Sequence, residues 1–302
     1  MREAYSPMMA AGEAAAGASV GDFLALLKPR VMSLVVFTGA AGLYLAPFHP
    51  HPLLCAVAIL CIALAAGAAG AINMWYDRDI DAVMARTCAR PIPRGSVAPE
   101  TALTFGLIVA LFSVTIMGLA LNGLAAFLLG FTIFFYAVIY TMWLKRRTPQ
   151  NIVIGGLAGA LPPLIGWEAA TGEIAPLPLL LTLLIFLWTP PHFWALALWR
   201  ARDYAAAGVP MMPLTHGEAS TKRQILLYTI VLVPVTVAPG LLIGGSLLYL
   251  IPAFTLATIF VAFAVAVIRE DGYRWAKKMF GYSILHLFLL FLLLTLAKGT
   301  GL

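Results

Sequence analysis

Long apolar stretches recur along the chain, and short polar or turn-forming segments separate them. Each stretch has about the 20 residues that an α-helix needs to cross a bilayer. Because unpaired backbone groups are costly in lipid, such stretches are expected to be helical. The pattern predicts an all-α polytopic bundle of about nine transmembrane helices, at 31–48, 53–74, 101–121, 123–144, 151–167, 177–199, 224–244, 247–268 and 279–297.

Composition supports the same class of protein. The 302 residues are 62% hydrophobic and only 11% charged, whereas a soluble domain has about 25% charged residues. The high hydrophobicity excludes a disordered chain, and three cysteines in this length exclude a disulfide scaffold. The chain is therefore predicted to be embedded in membrane lipid.

The basic residues are strongly segregated. With the nine spans above, eighteen of the nineteen Lys and Arg residues fall on one side, and only Lys298 falls on the other. Basic residues collect in cytoplasmic loops, which predicts a cytoplasmic N-terminus and an outer C-terminus. The net charge of +6 is thereby explained without a nucleic-acid partner.

Two regions are predicted from these patterns. Residues 1–20 lack a sustained apolar core and are predicted to be a flexible cytoplasmic tail rather than a signal peptide. Residues 21–302 are predicted to form one transmembrane domain. Most acidic residues also fall on the cytoplasmic side, so the active site is expected to face the cytoplasm.

The strongest cluster of polar residues lies in the segment NMWYDRDIDAVMARTCARPIPRG, residues 73–95. Asn73, Asp77 and Asp81 are spaced four residues apart and form one polar ridge on a helix. Oxygen ligands of this kind suit Mg²⁺, which binds one or two carboxylates together with substrate phosphates. Arg86 and Arg90 follow, and their forked donors suit a diphosphate. The alternative is a solvated loop in which Asp and Arg residues pair with one another.

This segment resembles the first Asp-rich motif, NxxxDxxxD, of the intramembrane prenyltransferases of the UbiA superfamily. Further stretches are similar to the haem-farnesylating branch of that superfamily. They are Lys28-Pro29-Arg30, LKRRTPQNIVIGGLAGALPPLIGW at 144–167 and WTPPHFWALALWRARDYAAAGVPMMP at 188–213. The resemblance extends over residues 22–300.

The resemblance implies nine transmembrane helices around a central cavity, in a bacterial plasma membrane. It implies transfer of a farnesyl group from farnesyl diphosphate to a vinyl group of haem B, with addition of water, to give haem O. One or two Mg²⁺ ions are the implied cofactor, haem B is a substrate, and haem-modifying or oxidase-assembly proteins are implied partners. In the site, Asn73, Asp77 and Asp81 correspond to the metal-diphosphate motif, with Arg86, Arg90, Lys28 and Arg30 as diphosphate-binding residues.

Two further residues are candidates for the site. Asp203 lies where many superfamily members have a second pair of acids, but here Ala207 replaces the second acid. Asp203 is expected to act in the site, either by orienting Lys222 or Arg223 or by ligating a metal through water. His192, in a predicted span, is expected to be a haem iron ligand or a general base, and the alternative is a core histidine bonded to a carbonyl.

Two other functions remain open at this point. The first is a prenyltransferase that acts on an aromatic quinone precursor, against which the stretch at 188–213 argues. The second is a cation-coupled transporter. A transporter predicts acidic residues at mid-membrane in both halves of the chain, whereas here they collect at one face and no inverted repeat is visible.

Overall fold

A computed structural model of the protein describes residues 17–299. Most of the predicted tail, residues 1–16, therefore lies outside the described residues. Ser19 caps the first helix, which begins at Val20, so the last residues assigned to the tail take part in a helix.

The described residues form helices without strands. The helices are α1 (Val20–Leu26), α2 (Pro29–Leu45), α3 (Pro52–Tyr76), α4 (Arg78–Val83), α5 (Pro99–Ala120), α6 (Gly123–Phe134), π1 (Phe135–Leu144), α7 (Asn151–Ala160), α8 (Pro162–Thr171), α9 (Pro176–Trp199), α10 (Ala201–Ala206), α11 (Met212–Thr215), α12 (Gly217–Leu242), α13 (Leu247–Arg269) and α14 (Arg274–Gly299). Proline begins several of them, at a position where its missing N–H costs nothing.

The predicted number of transmembrane helices is confirmed. Eight helices in the described part of the chain are long and apolar enough to cross a membrane, and α1 with α2 makes a ninth if this bent pair is one span. α6 with π1 forms one of the eight, and α7 with α8 forms another. The observed helices extend a few residues beyond several predicted boundaries, because the apolar pattern ends before the helix does.

A close crossing of α2 and α8 ties the first span to the fifth. A Cβ atom on Gly166 would overlap the backbone oxygen of Gly39 and lie 2.9 Å from the nitrogen of Leu43. A Cβ atom on Gly42 would likewise overlap the backbone oxygen of Pro163. Small residues allow membrane helices to approach in this way, so these glycines set the distance between the two helices.

The short helices α4, α10 and α11 and the loop at 84–98 connect spans at one end of the bundle, which we call the basic end. An apolar cluster there joins α4, α7, α9 and α10 through buried side chains, namely Ile80, Met84, Ile152, Ala197, Tyr204, Val209 and Met211. The cluster fixes α4, which carries Asp81, against the end of α9.

Candidate active site

The predicted polar ridge lies where α3 ends and α4 begins. Asn73 is in the last turn of α3, Asp77 separates the two helices, and Asp81 lies in α4. The helix is therefore interrupted, but the backbone bond from Asp81 N–H to the Asp77 carbonyl, 2.8 Å, keeps the helical spacing. Asn73 Nδ2 donates to Asp77 Oδ2 over 2.7 Å, and all three side chains are buried.

Each member of the ridge has a basic partner from a different part of the chain. Lys28 donates to Asn73 Oδ1 over 2.7 Å, Lys145 donates to Asp77 Oδ2 over 2.5 Å, and Arg90 donates to Asp81 Oδ2 over 2.6 Å. Buried carboxylates require such pairing because an uncompensated charge is costly away from water. The ridge is thus a buried acid–base network and not solvated, although Asp81 and Arg90 of the same segment do pair, as the alternative expected.

Asp79 lies outside this network. Its side chain is 60% exposed, and it forms a two-pronged pair with Arg146 over 2.6 and 2.7 Å. These bonds lower the pKa of Asp79 and raise the pKa of Arg146. Arg146 Nη2, which donates to Asp79 Oδ1, also lies 3.5 Å from Asp77 Oδ1. Asp79 is therefore a rim residue that helps to hold Arg146 beside the ridge.

Lys28 reaches the ridge from a strained position. Within residues 17–299 it is the only non-glycine residue with positive φ, at 53°, and it lies at the 56° bend between α1 and α2. Its side chain lies against Gly70 of α3, where an added Cβ would lie 3.4 Å from Lys28 Cδ. Strain of this kind persists where surrounding structure holds it and is frequent at functional sites.

The structure does not bring the other two predicted diphosphate ligands into the network. Arg30 and Arg86 are exposed, and in the described part of the chain neither forms an ion pair with the ridge. Arg86 follows α4 in an irregular segment and interacts electrostatically with Tyr136 and Tyr204. It therefore lies near the entrance of the site, whereas Arg90 lies within it.

A π-helix positions Lys145, and sequence reasoning missed it. In π1 the Lys145 N–H donates to the Tyr140 carbonyl over 2.8 Å, five residues back, and Thr141 Oγ1 donates to the Tyr136 carbonyl over 2.8 Å. π-Helices are rare and occur frequently at functional sites. Here the π-helix places Thr141 within 3.2 Å of Asn73 Nδ2 and lets Lys145 meet Asp77. The apolar pattern at 123–144 had indicated only a continuous span.

Aromatic side chains form a wall beside the ridge. The rings of Tyr136 and Tyr140 lie 5.4 Å apart, and both side chains are half-buried. Tyr140 lies so close to Gly155 of α7 that an added Cβ would lie 2.8 Å from its ring carbon Cε2. Tyr204 completes the wall, and burial raises the pKa of its phenol.

His192 is held rigidly in α9. Its ring stacks against Trp188 at 4.3 Å and Phe280 at 4.6 Å between ring centroids, and its Nδ1 lies 2.6 Å from Ser283 Oγ. Ser283 donates its hydroxyl proton to the Phe280 carbonyl over 2.6 Å. It must therefore accept a hydrogen bond from Nδ1–H, which leaves a lone pair on Nε2. Within residues 17–299 no partner for Nε2 is found.

Asp203 is half-buried at the start of α10. Its carboxylate pairs with Arg200 over 3.3 Å. Lys222, which Asp203 was expected to orient, donates instead to the backbone oxygen of Glu270 over 2.6 Å. That expectation is wrong for Lys222, because a carbonyl on the α13–α14 loop lies within reach of its ammonium group.

The donor set of the ridge fits Mg²⁺. It offers two carboxylates and one amide oxygen, and Mg²⁺ prefers oxygen ligands with room for phosphate oxygens and water. Within the described residues, no group of three or more His, Cys, Asp or Glu side chains is suited to hold a metal. A Mg²⁺ ion on two carboxylates and one amide oxygen would need further oxygens, which phosphate groups and water can supply.

Comparison with known proteins identifies the class. The model of the UbiA prenyltransferase family matches residues 35–294, so the chain belongs to this family. Among curated relatives, protoheme IX farnesyltransferase of Parvibaculum lavamentivorans is 56% identical over 94% of this chain and 91% of its own length. Protoheme IX farnesyltransferase of Azorhizobium caulinodans is 58% identical over 89% of both chains. The resemblance to the haem-farnesylating branch is confirmed.

Solved structures confirm the fold. The structure of a digeranylgeranylglyceryl phosphate synthase is 18% identical and covers 92% of this chain and 98% of its own, with a TM-score of 0.77. A UbiA homologue from Archaeoglobus fulgidus bound to GPP and Mg²⁺ is 16% identical and covers 90% of this chain and 99% of its own, with a TM-score of 0.65.

Proposed function

We propose that this protein transfers a farnesyl group from farnesyl diphosphate to a vinyl group of haem B, with addition of water, and releases haem O and diphosphate. The observation that carries the proposal is the buried network of Asn73, Asp77 and Asp81 with its three basic partners, in a chain more than half identical to protoheme IX farnesyltransferases. The resemblance of the 188–213 stretch to the haem-farnesylating branch also favours haem over a quinone precursor as the acceptor.

The ridge is proposed to hold one or two Mg²⁺ ions on the diphosphate through Asn73, Asp77 and Asp81. The ion would supply positive charge to the departing diphosphate. Lys145 and Arg90, which contact the carboxylates, are proposed to donate to diphosphate oxygens as well, together with the exposed Arg86 and Arg30. These fixed donors lower the barrier because they stabilise charge that develops as the C1–O bond breaks.

The aromatic wall is proposed to protect the allylic cation. C1 of the farnesyl group bonds to the terminal vinyl carbon, and the positive charge moves to the inner vinyl carbon. Water adds to that carbon and loses a proton, while the electron pair of the broken C1–O bond leaves with diphosphate. Tyr136 and Tyr140 present ring surface beside the ridge, which favours a nearby cation and restricts water to the acceptor side.

His192 and Asp203 are proposed to serve the acceptor. The free Nε2 lone pair of His192 suits ligation of the haem iron or acceptance of the proton that water releases. Asp203 holds Arg200 through its ion pair and acts as a positioning residue.

The proposed location is a bacterial plasma membrane, with the N-terminus and the basic end of the bundle in the cytoplasm and the C-terminus outside. Loops rich in Lys and Arg are retained on the cytoplasmic side, and the basic end carries nearly all of these residues. Haem-modifying or oxidase-assembly proteins are proposed to receive the product.

The proposal is tested by incubating purified protein with haem B, farnesyl diphosphate and Mg²⁺, followed by mass spectrometry of the extracted haem. We expect a mass increase by farnesyl plus water, which EDTA abolishes. Product on hydroxybenzoate but not on haem would instead establish a quinone-precursor enzyme. Ion flux in proteoliposomes without any covalent product would establish a transporter.

The network predicts a specific effect of Lys145. Replacing Lys145 with glutamine is expected to lower kcat for farnesyl transfer by roughly 100-fold, because a charge-assisted donor to Asp77 and to the diphosphate is lost. Arg147 provides the matched control, since it is exposed, and Arg147→Gln should change kcat less than twofold. Equal kcat values for the two variants would remove Lys145 from the site.

A further inference from the structure

One stripe of α9 keeps accessible surface near the basic end of the bundle. In its last two turns Trp194, Ala195, Ala197 and Leu198 are at most 1% exposed. Other side chains in this part of the chain keep some accessible surface, and they are spaced three or four residues apart. This spacing puts them on one face of the helix. They are His192, Phe193, Leu196, Trp199 and, just beyond the helix, Arg200.

The neighbours of this stripe show that it faces the interior rather than lipid. On one side Phe193 packs on the cluster that contains Ile80 of α4, the helix that carries Asp81. On the other side His192 stacks on Phe280 of α14. The stripe therefore lies between α14 and α4, the helix that carries Asp81 of the ridge.

The surface formed by α9 and α14 has a polar end and an apolar end. At the basic end, Arg200 Cζ lies 4.4 Å and Lys277 Nζ 5.4 Å from the centroid of the Trp199 ring. Deeper, Phe280 stacks on His192. Trp199 follows His192 by two turns of α9, which corresponds to about 10 Å.

The polar end has unused hydrogen-bond donors and a surplus of positive charge. Within residues 17–299, Trp199 Nε1 and Arg200 Nε are buried without a hydrogen-bond partner, and the exposed Lys277 forms no ion pair. The carboxylate of Asp203 contacts Arg200 over 3.3 Å. The polar end thus has two cationic side chains and one indole N–H but only one carboxylate. This excess of positive charge and of donors favours an anionic ligand, because unpaired buried donors are costly.

We propose that Lys277, Arg200 and Trp199 Nε1 bind the propionate carboxylates of haem, with the macrocycle lying along Phe280 and His192. Haem B carries its two propionates on one edge and its vinyl groups on the opposite edge. Binding the propionates at the basic end directs the vinyl edge into the bundle. This inference rests on the proposed function and assigns the residues that select and orient the acceptor.

The test compares haem B with its dimethyl ester, which lacks the carboxylate charges. Binding of each to the full-length protein in detergent is measured by optical titration. Lys277→Gln should weaken binding of haem B about tenfold, the effect of one charge-assisted hydrogen bond, and leave binding of the ester unchanged. Arg200→Gln should likewise weaken binding of haem B and leave binding of the ester unchanged.

Lys278 provides the matched control. It neighbours Lys277 but lies over Trp275, 4.5 Å from that ring, so Lys278→Gln should change neither affinity. Equal weakening of haem B and ester by Lys277→Gln and Arg200→Gln, or no weakening by either, would overturn the proposal. Farnesylation of haem B by the unmodified protein is measured separately. A failure of the proposed function would appear in that assay, whereas a failure of this binding site would appear in the titrations.

Discussion

Replacement of Asp77 by asparagine is expected to lower kcat for farnesyl transfer by about 10³-fold. The change keeps the size of the side chain but removes the charge that pairs with Lys145 and, as proposed, binds Mg²⁺. Asp77 has no exposed surface and contacts Asn73 as well as Lys145. Product formation is measured by mass spectrometry of extracted haem.

Asp79 makes this prediction specific, because it is an aspartate two residues away that lies outside the ridge. Asp79→Asn should retain kcat within a few-fold, since its exposed side chain pairs with Arg146 at the rim and surface pairs contribute little. Size-exclusion profiles and circular dichroism establish that both variants fold. Similar kcat values for folded Asp77→Asn and Asp79→Asn would refute the assignment of the ridge as the metal-diphosphate site.

The largest loss of stability is expected from Gly166→Ala. Its new methyl group would overlap the Gly39 carbonyl, and neither backbone can move without separating α2 from α8. Overpacking costs typically 1–3 kcal/mol and more where no flexible side chain can yield. We therefore expect destabilisation of about 3 kcal/mol or more, seen as a large drop in Tm in detergent or as loss of folded protein.

Gly159 tests whether this effect comes from the crossing. It lies in α7, the other half of the same span, and no atom lies within 4 Å of the Cβ it would gain. Gly159→Ala should leave Tm unchanged or raise it, because alanine favours a helix over glycine. If Gly166→Ala were as stable as Gly159→Ala, α2 and α8 would not pack as closely as described.

The helices could be predicted because bilayer crossing imposes a strong and local constraint. A span must be apolar over its whole length, so 53–74 and 177–199 predict α3 and α9 nearly to their ends. The ridge could also be predicted, because the spacing of Asn73, Asp77 and Asp81 is a property of one local segment. The break at Asp77 changes the helix but not that spacing.

The basic partners of the ridge could not be predicted, because they depend on contacts between distant segments. Lys145 is one of the eighteen basic residues whose distribution indicates topology, and nothing in the apolar residues of π1 indicates five-residue hydrogen bonding. The left-handed conformation of Lys28 arises from a bend between helices. His192 was identified from its depth in a span, but its hydrogen bond to Ser283 joins helices far apart in sequence.

The central claim is that the network of Asn73, Asp77 and Asp81 with Lys28, Arg90 and Lys145 is the diphosphate site. A structure of the full-length protein determined with Mg²⁺ and a non-hydrolysable farnesyl thiodiphosphate tests it most directly. The account predicts metal density on Asp77 and Asp81 and diphosphate density within hydrogen-bond distance of Lys145 or Arg90. Diphosphate bound elsewhere in the bundle, with the ion pairs of Asp77 and Asp81 unchanged, would contradict it.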